Sequence, residues 1–106
     1  MRRARIVFSA GTLSLLGAAI AVCLDGALDH GKEVYAIQKC ALCHSISGIG
    51  GKKLSLDGVG SKLKPDDIKK WVRTPKEMKS GTTMKAYPNL PVKDLEDLTA
   101  YLMTLR

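Results

Sequence analysis

Residues 40–44 read Cys-Ala-Leu-Cys-His. Two thiols three positions apart, with a histidine directly after the second, converge on whatever they bind, and the fold must be built around that point. The chain has little else to build with. Its 106 residues make one small domain. A domain of that size buries a modest core, often completed by a cofactor or a cross-link.

Three apolar stripes predict three helices. The first runs from about Asp29 into the cysteine motif, with Val34, Ile37 and Ala41 on one face and Tyr35 beside it. The second begins at Pro65, a favourable first helical residue, with Asp66 and Asp67 at its positive end. Ile68, Trp71 and Val72 form its stripe, and Thr74-Pro75 ends it. The third follows Pro91 and carries Leu95, Leu98, Tyr101, Leu102 and Leu105. Two long segments remain, the glycine-rich 45–63 and the methionine-bearing 76–89, and neither shows a strand pattern. Loops this long in a small domain call for something to wrap. A large, flat, apolar ligand would supply the core that three short helices lack. The expected class is all-α.

Several chemistries compete for the cysteines. A thioredoxin-like redox pair needs a surrounding βαβ pattern, which is missing. A structural zinc ion needs four ligands, and Cys40, Cys43 and His44 make three, with His30 the one spare histidine. A Cys40–Cys43 disulfide leaves His44 unexplained. C-x-x-C-H is the attachment signature of c-type haem. Two thiols add across the vinyl groups of one porphyrin edge, and the next residue then lies under the ring, where its imidazole can bind iron. Met78, Met84, Met103, His30 and Lys85 are candidates for the sixth position. Met103 lies near the end of the third helix, where it is expected to pack in the core, and His30 opens the first, so the loop holding Met78 and Met84 is the natural provider. Thioether sulfur suits low-spin iron in an apolar pocket.

The first 24 residues differ from the rest. Met-Arg-Arg-Ala-Arg is followed by 19 uncharged residues, Ile6 to Leu24, with an Ala-x-Ala pattern at Ala19–Ala21. This predicts a cleaved signal peptide or an N-terminal membrane anchor over 1–24, with the domain at 25–106 exported to the periplasmic side of a bacterial cytoplasmic membrane. Cys23 follows Val22, which is bulky where a lipoprotein cleavage site wants a small residue, so Cys23 reads as an apolar residue. The formal charge is +7, of which Arg2, Arg3 and Arg5 supply three before any acidic residue. Few aromatics accompany the lysines, which argues against a nucleic-acid platform.

Beyond Cys40–His44, four stretches carry a family likeness: Leu56-Asp-Gly-Val-Gly60, Trp71, Ser80-Gly-Thr-Thr-Met84-Lys-Ala-Tyr87 and Leu98-Thr-Ala-Tyr-Leu102. With the cysteine motif they resemble the small class I c-type cytochromes over about residues 29–105. That family shows an "L-x-G-V-G" loop, a tryptophan on the middle helix, a "P-G-T-x-M-P-A-F" type turn and a final "L-x-x-Y-L". The resemblance implies a small cytochrome c fold wrapped around one haem c. Cys40 and Cys43 are then thioethers, His44 the proximal iron ligand and Met84 the distal one, with Met78 a packing residue. Lys85 departs from the proline that often follows the axial methionine. Lys53-Leu54 replaces a Gly-Pro whose loop carbonyl accepts the histidine Nδ1–H, so the resemblance leaves the supplier of that carbonyl open.

A six-coordinate site of this kind leaves no position for a small-molecule substrate. The resemblance therefore implies an electron carrier in a respiratory or photosynthetic chain, mobile or held as a membrane-anchored subunit. Its partners would be redox proteins with acidic docking surfaces, steered by Lys39, Lys52, Lys53 and Lys85. The alternative is a haem-based sensor or peroxidase-like enzyme with an open sixth position.

Overall fold

A computed structural model describes the backbone of residues 13–106 and the side chains of 25–106. The basic start of the chain, and the Cys23 side chain, lie outside the described residues. Helix α1 spans Leu13–Ile37. A single 3-10 turn follows at Cys40–Leu42, then strands β1 (His44–Ile46), β2 (Ile49–Gly50) and β3 (Leu54–Ser55). Four more helices complete the chain: α2 (Val59–Lys62), α3 (Pro65–Arg73), α4 (Pro75–Met78) and α5 (Val92–Met103).

The second and third helices fall where proline and the apolar stripes place them. In α3 the Asp67 carboxylate accepts the Lys64 N–H at 3.3 Å, closing the first turn. In α5 the Leu95 N–H donates to the Pro91 carbonyl at 3.0 Å, so proline stands at the cap without a side-chain bond. Three expectations change. First, α1 starts far upstream of Asp29 and stops at Ile37, short of the motif. Lys39 takes a left-handed conformation, φ 58°, which no α-helix continues through. Second, Ile37 is 70% exposed and Ala41 is exposed as well, so of the expected face Val34 alone is buried. A stripe is buried only where a neighbour crosses it, and α5 crosses α1 at Gly31 to Tyr35. Third, the fold is helix-rich with a small sheet of order β2-β1-β3, where no strand was expected. Strands of two or three residues are too short to show a period.

The core is Val34, Ile68, Val72, Leu90, Leu95, Leu98 and Leu102. It lies where α1 and α3 pack on α5. Gly31 permits the α1–α5 approach, because a Cβ there would collide with the Asp97 carbonyl and Tyr101. His30 Nδ1 lies 2.7 Å from Asp97 Oδ2, pinning the same crossing from the outside. Lys93 donates to that carboxylate at 2.9 Å.

Candidate haem-binding site

The cysteine–histidine turn is held by backbone amides from the glycine-rich segment that follows it. The Gly51 N–H donates to the Ala41 carbonyl at 2.7 Å and to the His44 carbonyl at 3.1 Å. The Lys53 N–H reaches the Cys43 carbonyl at 3.1 Å. Gly50 sits at φ 121°, and a Cβ on it would meet the His44 carbonyl. A Cβ on Gly51 would meet the Leu42 carbonyl. Both glycines are therefore required by close approach of two backbones.

His44 heads β1, whose parallel pairing sets it beside Leu54. The His44 Nδ1–H donates to the Leu54 carbonyl at 3.2 Å. This supplies the acceptor that the missing Gly-Pro left unassigned. It also fixes the tautomer with the Nε2 lone pair free, the arrangement a metal-ligating histidine needs. Cys40 and Cys43 are both free thiols, Cys40 half-buried and Cys43 exposed. Burial pushes the Cys40 thiol above its ordinary pKa, so it stays neutral at neutral pH.

Two tyrosines flank the cysteines. Tyr35, on the last turns of α1, stacks edge-on against Tyr101 with ring centroids 6.2 Å apart. Burial, then the charges Cys40 and Tyr101 would carry, pushes its hydroxyl up to about 12. That hydroxyl is the one buried side-chain polar atom without a partner among the described residues. Tyr87 lies near both cysteines. Burial, then the charges of ionised Cys40 and Cys43, raises its pKa as well. Its hydroxyl donates to the Gln38 carbonyl at 3.0 Å.

Met84 lies three residues before Tyr87, half-buried, in the loop between α4 and α5. It lines an open cleft of about 660 Å³ together with Pro75, Thr82, Thr83 and Pro88. Cys40, Cys43 and His44 do not line that cleft. The structure thus joins the cysteines and His44 in one turn and brings the Met84 loop to them through Tyr87. The other iron candidates are engaged elsewhere: His30 with Asp97, Met103 against the core, Lys85 over the Tyr87 ring at 5.3 Å. Met78 ends α4. The Gln38 and Leu54 carbonyls carry no signal in the sequence, since a backbone acceptor can belong to any residue type. Tyr87 could have been noticed, as a hydroxyl where the family turn has phenylalanine.

The model of the family described as cytochrome c oxidase, cbb3-type, subunit III matches residues 26–102, and the chain belongs to that family. It is a small c-type cytochrome. Cytochrome c oxidase subunit 2 of Alkalihalophilus pseudofirmus is 31% identical over 87 residues, an alignment covering 74% of this chain and 25% of that protein. The chain thus spans about a quarter of the length of the curated relative it matches. No solved structure matches. A domain of this family implies haem c and works in electron transfer.

The donor set fits that group. Two free thiols three residues apart, an imidazole with its Nδ1 already bonded, and a half-buried thioether in the loop that Tyr87 ties to Gln38 are the groups haem c requires.

Proposed function

We propose that Cys40 and Cys43 hold one haem c as thioethers and that His44 Nε2 and Met84 Sδ bind its iron. The protein then passes single electrons between redox partners of a respiratory or photosynthetic chain. When bound, the haem supplies a one-electron iron couple. The rest falls to the chain. The observation that carries the reading is the His44–Leu54 bond beside two free cysteines. It holds the imidazole in one orientation and raises its basicity. Met84 is soft and uncharged, which favours the ferrous state and raises the potential. With both axial positions taken, no site remains for a substrate, so we read the chain as an electron carrier rather than an enzyme.

The docking face we propose surrounds the motif. Leu42, Ile49 and Leu54 are exposed large apolar residues there, 75%, 79% and 60% accessible. Lys39, Lys52 and Lys53 stand exposed among them. Such a surface suits a redox partner with an acidic rim, which lysines would steer into contact.

We place the domain, residues 25–106, on the periplasmic side. Residues 25–28, where the apolar N-terminal segment meets the domain, lie inside α1. Residues Leu13–Leu24 therefore continue the same helix rather than joining it through a flexible linker. No helix among the described residues is long and apolar enough to cross a membrane. The similarity to a subunit of cytochrome c oxidase supports a role within a membrane complex.

Spectra and a potential titration on membrane and soluble fractions test this reading. A haem that resists acid-acetone extraction, a thioether–iron charge-transfer band in the far red, and no carbon monoxide adduct in the reduced protein are expected. An extractable haem sinks the attachment. An open sixth position transfers the protein to the sensor or peroxidase class. Intact Met1 in protein purified from native membranes identifies an anchor, and a start near Val22 in the soluble fraction identifies a cleaved signal.

A further inference from the structure

The turn around Met84 departs from its family pattern at Ser80 and, after the methionine, at two further places that meet in space. Lys85 stands where proline often follows the axial methionine, and Tyr87 where the pattern ends on phenylalanine. Proline would fix φ just after the ligand and restrict the loop. Lysine gives that restriction up. Yet Lys85 Nζ lies 5.3 Å from the centre of the Tyr87 ring, a cation–π distance.

Tyr87 in turn is bonded to α3 and to the residue that follows α1. Its hydroxyl, the atom phenylalanine lacks, donates to the Gln38 carbonyl at 3.0 Å. Gln38 directly follows α1 and precedes Cys40 by two residues. The Tyr87 backbone N–H donates to the Val72 carbonyl at 2.9 Å, near the end of α3. Arg73 fixes the next residue by donating to the Pro88 carbonyl at 2.8 Å. Upstream, the loop's bonds are internal: Thr82 N–H to the Lys79 carbonyl at 3.1 Å, and Met84 N–H to Thr82 Oγ1 at 3.2 Å. Tyr87 is thus the first point after Met84 at which the loop is tied to the rest of the molecule.

We infer that the Tyr87 hydroxyl is a positioning group for the sixth ligand: through the Gln38 carbonyl it ties the Met84 loop to the strand of chain that enters the cysteine motif, in place of the rigidity of proline. This rests on the reading of Met84 as an iron ligand. The bond spans 49 residues of chain and closes the distance between the two halves of the site.

The test uses ferric holoprotein in four forms: wild type, Tyr87→Phe, Lys85→Pro and the double variant. The readouts are the far-red band and the equilibrium binding of imidazole, which must displace Met84 to bind. Tyr87→Phe keeps the ring and its packing. It is expected to bind imidazole about fivefold more tightly, the factor carried by one ordinary hydrogen bond. Adding Lys85→Pro is expected to return the affinity toward wild type, a rescue that a purely structural tyrosine would not show. Unchanged imidazole affinity in Tyr87→Phe overturns the inference. So does a rise that Lys85→Pro leaves in place, since the hydroxyl would then act by something other than restraining the loop. A wild-type protein without the band overturns the Met84 reading as well. A wild type with the band and an unresponsive Tyr87→Phe overturns the brace alone.

Discussion

The two halves of the site are held in opposite ways. From Cys40 to Leu54 the chain folds back on itself, and amides of Gly51, Lys53 and Leu54 bind carbonyls no farther back along the chain than Leu54 is from Cys43. From Lys79 to Leu90 the loop depends on distant elements: Gln38 beyond α1, Val72 and Arg73 at the end of α3. The first half costs little chain entropy to close, because its loops are short. The second exists only once α1, α3 and α5 have packed. A ligand on the first half is fixed by local backbone. A ligand on the second is as stable as the tertiary contacts behind it, which makes the methionine the weaker of the two iron bonds in this reading.

The most severe way to break the comparison is to remove the two cysteines proposed to hold the haem. Cys40→Ala with Cys43→Ala is expected to yield protein without haem and with weakened helical circular dichroism, since both halves then lose the group between them. A chain that stays fully helical and cooperative without haem would show that the protein core alone carries the fold.

Glycine substitutions sharpen it next. Gly51→Ala drives a methyl group into the Leu42 carbonyl, and we expect a loss of about 2–4 kcal/mol in the holoprotein, read from denaturant unfolding. Gly81, in the methionine loop, has open space around it and no positive φ, so Gly81→Ala should stay within about 0.5 kcal/mol. Equal costs at the two sites would erase the proposed difference between the halves.

Met84→Ala is expected to abolish the far-red band, lower the potential and admit carbon monoxide, with haem still attached at Cys40 and Cys43. Met78→Leu, a swap of similar volume at the end of α4, should leave the band in place and cost less than about 1.5 kcal/mol. A reversed pattern reassigns the ligand to Met78.

The smallest effect concerns the crossing beneath both halves. Hydrogen bonding from Lys93, and from His30, holds the Asp97 carboxyl below its ordinary pKa, against the opposing pull of burial. A carboxyl lowered in the folded state adds stability that is complete above the ordinary carboxylate range and is lost as pH falls through the lowered value. Asp97→Asn should therefore unfold more easily at neutral pH and show a flatter decline on acidification. Parallel curves for variant and wild type would remove Asp97 from the acid response.

The sequence by itself determined the cysteine–histidine turn, the starts of α3 and α5, and most of the core. Those features obey local rules. A motif of five residues sets its own geometry, proline sets a helix start, and a stripe of Leu95, Leu98 and Leu102 must find cover. Only the tertiary structure decided the rest. The acceptor of His44 Nδ1–H is a carbonyl, and every residue has one; the parallel register of β1 on β3 chose Leu54. The left-handed Lys39 stopped α1 short of the motif, although the apolar pattern ran on through Ile37 and Ala41. Tyr87 found Gln38 across 49 residues because α1 and α3 both pack on α5, and no reading of neighbours along the chain contains that distance.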